Sequence, residues 1–117
     1  MVAVIAFSDE QVWLKARWAV RVLLNDVIAT HSSDEELSKE LTEAIALSGL
    51  HFDLLAPGIR QRGILALKDT ILATLRGDKH AGLRFDVELD PEGRTMYRQA
   101  IKELLDMIES VVASEDQ

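Results

Sequence analysis

Residues 9–30 and 57–76 read as helices that are apolar almost all the way round. A helix in a small domain needs one buried face. The excess apolar surface implies a second partner for both helices, and this constrains the fold and its assembly more than any motif in the chain.

The first of these segments opens on Ser8 and Gln11, which have capping-box spacing. Its core arc is Val12, Trp13, Ala16, Ala19, Val20, Leu23, Leu24 and Val27, at helical spacing. Leu14, Trp18 and Ile28 fall on or beside the polar stripe, where a simple bundle helix is wet. In the segment from Pro57, Ile64, Leu67, Ile71 and Leu75 form one stripe, and Leu65 and Leu72 form another far round the cylinder. Gly63, Ala66, Thr70 and Ala73 make a small-residue face that lets another helix approach closely. Gly77 is the stop.

Between these lies an amphipathic helix. Ser33 and Glu36 have capping-box spacing, Asp34, Glu35 and Glu36 complement the helix start, and Leu37, Leu41, Ala44 and Ile45 face the core. Gly49 reads as its stop, and Leu50–Ala56 as an apolar connector. The last helix begins at Asp90-Pro91-Glu92, a cap, a proline and an acid in order. Tyr97, Ile101, Leu104, Leu105, Ile108 and Val111 lie on its buried stripe.

One segment changes period. Leu83 to Leu89 alternates apolar and charged residues, which predicts a strand with Phe85, Val87 and Leu89 inward. A strand needs a partner, and residues 2–7 are the other strand-like run. The expected fold is therefore mainly α: a four-helix bundle-like single domain over residues 1–117, with a minor two-stranded ribbon pairing 2–7 with 83–89.

Functional signals are sparse. The chain has no cysteine, so no disulfide or thiolate metal site exists. His31, His51 and His80 each sit in a predicted break rather than paired on a helix face. The Glu-Glu-x-x-Glu and Glu-x-x-Asp motifs with which all-α pyrophosphohydrolases hold magnesium are not matched. Glu40 is one residue too far from Glu35-Glu36, and Glu103 and Asp106 point away from the core line. Arg94, Arg98 and Lys102 form a basic line, but no aromatic platform is interleaved with it. No catalytic, cofactor-binding or metal-binding residue is assigned.

The net charge of −7 disfavours nucleic acid and favours a basic protein surface. No apolar run approaches the roughly 20 residues of a membrane span. Residues 2–7 lack a cationic leader and run straight into Ser8, Asp9 and Glu10, so a cytoplasmic location is expected. The leading expectation is a non-enzymatic interaction or regulatory module that acts as a homodimer. Its dimer interface would use Leu14, Trp18, Ile28, Leu65 and Leu72. Its partner face would use Glu36, Glu40 and Glu43 against a basic protein, by class analogy with small acidic helical inhibitors of bacterial toxins. The alternative is a small enzyme or ligand-binding bundle whose site forms between protomers.

Overall fold

A computed structural model describes residues 2–77 and 90–115. Strand β1 (Val2–Ala6) turns back into strand β2 (Val12–Ala16), which runs directly into helix α1 (Arg17–Thr30). Helix α2 (Glu35–Leu47), strand β3 (Gly49–His51) and a single 3-10 turn over Phe52–Leu54 follow. Helix α3 (Pro57–Arg76) and helix α4 (Pro91–Glu115) complete the described chain. The protein is mostly helical: among the described residues, four helices accompany a small three-stranded sheet.

The sheet order is β2-β1-β3, with β1 antiparallel to β2 and parallel to β3. This corrects the expected ribbon. The partners of β1 are residues 12–16 and 49–51, so the strands number three rather than two. Residues 83–89 lie outside the described residues.

The first helix also starts later than its pattern predicts, at Arg17 instead of residue 9. The reason is local. Ser8 Oγ does accept the Gln11 N–H, at 3.2 Å, but that bond closes a hairpin tip instead of capping a helix. Phe7 N–H donates to Gln11 O at 2.9 Å across the same tip. Val12, Trp13 and Leu14 then alternate exposed, buried, exposed, as β-branched and aromatic residues do on a half-buried strand.

One sheet face belongs to the core. Ala3, Ile5, Phe7, Trp13 and Leu50 are all buried there. Helix α1 packs on this layer and on α2 and α3. Val20, Val22, Leu23, Leu24 and Val27 are buried over a wide arc of its cylinder that leaves Arg17 and Arg21 exposed. Much of the excess apolar surface of the 9–30 segment is thus absorbed within one chain, because α1 is a central helix. Helix α4 packs against α3 and is tied to β2 by Trp13 Nε1–H, which donates to Ala100 O at 3.1 Å.

The small-residue face of α3 is used as its composition predicts. Gly63 lies so close to the neighbouring side chains that a Cβ there would meet Phe52 at 2.8 Å and Leu37 at 3.3 Å. Phe52 in turn stacks on Phe7 with ring centroids 5.1 Å apart.

Candidate functional site

The three-stranded sheet has a second face, and the register sets its composition. Val4 lies opposite Leu14 and Ala6 opposite Val12. Directly opposed residues share a face, so Val2, Val4, Val12 and Leu14 all point away from the core. Val2 is 61 % exposed, Val12 41 % and Leu14 57 %. This is an apolar row on an outer surface.

The same residues define an open strand edge. The bond from Phe7 N–H to Gln11 O fixes that pair as hydrogen-bonded. Pairs alternate along an antiparallel ladder, so the pairs of Ile5 with Trp13 and of Ala3 with Lys15 are hydrogen-bonded too. The N–H and C=O groups of Val12 and Leu14 therefore point away from β1. Among the described residues, nothing pairs with that side of β2.

The acidic helix is partly neutralised by its own chain. Arg62 of α3 donates from Nε to Asp34 Oδ2 at 3.0 Å and from an Nη to Glu36 Oε1 at 2.6 Å. The Arg62 hydrogen bond, followed by the Leu37 N–H, holds the Asp34 carboxyl below its ordinary pKa. The Asp34 and Glu36 hydrogen bonds raise the Arg62 guanidinium above its own. Of the three glutamates assigned to a partner face, Glu36 is therefore engaged by Arg62, Glu40 is half-buried and Glu43 is exposed.

The five residues assigned to a dimer interface occupy several places. Leu14 lies on the outer sheet face. Leu65 and Leu72 line a cleft of about 470 Å³ together with Leu37, Arg62 and Asp69. Trp18 is half-buried, tilted against Tyr97 at 6.4 Å, and lines a different cleft with Met96 and Glu103. Ile28 is partly buried against the core. The structure brings Leu65 and Leu72 together and places Leu14 and Trp18 on other surfaces.

Sequence reasoning missed a polar seam among the helices. Asp26 of α1, Thr70 and Thr74 of α3 and Tyr97 of α4 are all buried. Thr30 Oγ1 lies 3.3 Å from Thr70 Oγ1, and Thr74 Oγ1 donates back to Thr70 O at 2.9 Å. Burial, and then the Asp26 charge, push the Tyr97 phenol well above its ordinary pKa. One signal was available: Asp26 follows Leu23 by three residues, which puts it on the core side of the helix.

Three further polar contacts join elements of the fold. Arg98 donates to Thr74 O and Leu75 O at 3.3 and 2.9 Å and so caps the end of α3. His31 Nε2 lies 3.7 Å from Asp69 Oδ2. Lys15 Nζ pairs with Glu103 at 2.6 Å. Among the described residues, no three histidine or acidic side chains are grouped so as to hold a metal ion. No described helix is long and apolar enough to cross a membrane. No family model matches the chain, no curated protein matches it, and no solved structure matches its fold.

Proposed function

We propose that this chain is a non-enzymatic protein–protein interaction module that acts as a homodimer in the cytoplasm. The observation that carries the reading is the row of Val2, Val12 and Leu14, exposed side by side on the outer sheet face. Monomeric proteins seldom leave a large contiguous apolar patch in water, and exposed apolar side chains gathered on one face mark interaction surfaces. Two copies whose rows meet side by side shield the side chains nearest the contact, Leu14 and Val12, in both.

The acidic face of α2 is then the surface for a further, basic partner. Arg62 occupies Glu36, so Glu40 and Glu43 are the carboxylates that would lead the encounter. Such an encounter is steered by charge and slows as salt rises. Capture of a partner followed by binding kinetics tests it. Glu40→Lys with Glu43→Lys should slow association and flatten its salt dependence. An unchanged association rate makes α2 a solvated face only.

The second reading is a small enzyme or ligand-binding bundle whose site forms between protomers; the polar seam of Asp26, Thr70, Thr74 and Tyr97 is buried within one chain and does not supply that site. A thermal-shift screen with metals and small anions separates the two, because a specific ligand raises stability by mass action.

A further inference from the structure

The geometry points to a specific mode of self-association: strand β2 pairs antiparallel with β2 of a second copy about a two-fold axis, joining two three-stranded sheets into one of six. This deepens the homodimer reading and rests on it.

Three observations select this mode. Hydrogen bonding comes first. The edge of β2 that no described residue pairs with presents the N–H and C=O groups of Val12 and Leu14. An unpaired edge is a ready template for another strand. With Leu14 on the axis, Leu14 meets its own copy, outward groups to outward groups, and Val12 meets the start of α1 at Ala16 of the partner subunit, where the ladder ends.

Continuity is the second. The residues whose backbones point outward also carry the exposed apolar side chains. Edge pairing therefore extends the row of Val12 and Leu14 across the axis without changing face.

Charge is the third. The outward residues Val12, Leu14 and Ala16 are uncharged. On the core side, Trp13 falls opposite Lys15 of the partner subunit, and that lysine pairs with its own Glu103. No like charges are opposed across the new ladder. At one end of β2 the hairpin tip exposes Asp9 and Glu10, and at the other end α1 begins with exposed Arg17 and Arg21. Antiparallel pairing brings the acidic tip of each copy to the basic helix start of the other, twice over by symmetry.

The absence of cysteine from the chain makes the test clean. Leu14→Cys places two thiols on the axis. Hydrogen-bonded antiparallel partners have Cα atoms roughly 5.5 Å apart, within the roughly 4.4–6.8 Å that a disulfide spans. Mild oxidation should give a covalent dimer from Leu14→Cys at micromolar protein, and little from Leu65→Cys on α3. Leu14→Pro removes a donor that points away from β1, so the hairpin ladder remains. It should weaken the dimer at least tenfold while the circular dichroism stays helical. Should that variant not fold, Val12→Lys with Leu14→Lys serves in its place. Glu10→Arg should weaken the dimer, and adding Arg17→Glu should restore it. A wild-type monomer at these concentrations overturns the homodimer reading itself. A wild-type dimer that survives the β2 variants and does not cross-link through position 14 overturns β2 pairing and leaves the homodimer standing.

Discussion

Ser48 ends α2 in the left-handed region with φ of 59°, while Gly49 beside it starts β3. Sequence logic puts the glycine at the turn, and the structure puts it one residue on. Glycine suits the position where Gly49 stands, because a Cβ there would crowd Val4 Cγ1 at 3.1 Å. Serine therefore carries the left-handed turn, at a cost near 1 kcal/mol. Ser48→Gly should raise stability by about 0.5–1 kcal/mol in urea unfolding, less if the freer unfolded chain offsets it. Gly63→Ala should do the reverse and cost about 1–3 kcal/mol, because the added methyl would meet the Phe52 ring at 2.8 Å. Tyr97 gives a pH signature. Its folded pKa is raised, so its contribution is complete below the ordinary phenol value of 10.0 and is lost as pH climbs through the folded value. Tyr97→Phe should blunt alkaline unfolding, and pH-jump fluorescence of the two tryptophans would show it.

At the scale of elements, the clasp between α2 and α3 has the opposite sign. Asp34 is held below its ordinary carboxyl value of 3.8 by Arg62. Its contribution is present above that value and is lost as pH falls through the folded one. Arg62→Gln should flatten the acid limb of a stability–pH profile and leave the limb above pH 7 in place; an unchanged acid limb would mean that the clasp contributes nothing. Caps were readable from the sequence because they are local. Gly77 ends α3 with φ of 80°, and Asp90 Oδ1 accepts the Gly93 N–H at 2.7 Å, as their patterns predict. The cap of α2 is Asp34, one residue past Ser33, and its Oδ1 accepts the Leu37 N–H at 3.1 Å. Strand β2 was not readable. Val12, Trp13 and Ala16 also fit the helical arc that continues through Ala19 and Val20, and five residues are too few to separate the two periods. The misfit was Leu14, an apolar residue on the wet stripe of a helix. As a strand residue it simply shares a face with Val12. The outer apolar row was hidden with it, since it exists only once β1 and β2 are in register.

For the whole molecule, the central placement of α1 changes what its apolar surface means. Val22 and Leu24, on opposite sides of that helix, are both buried by its own chain, so the helix does not demand a second subunit. The exposed apolar surface lies on the sheet instead. Val2, Val12 and Leu14 crowd one outer face, and β2 offers main-chain groups beside them. The net charge of −7 pushes copies apart at long range, and added salt screens that repulsion. In the proposed dimer the apolar and main-chain contacts would therefore supply the attraction, with the Asp9 and Glu10 tips set against Arg17 and Arg21 of the partner subunit as local steering. The most direct test is light scattering of the unmodified chain coupled to size exclusion, run across the micromolar range. A β2-paired dimer gives twice the chain mass, falling to a single chain mass on dilution or in Leu14→Pro. A single chain mass for the unmodified protein throughout that range would contradict it.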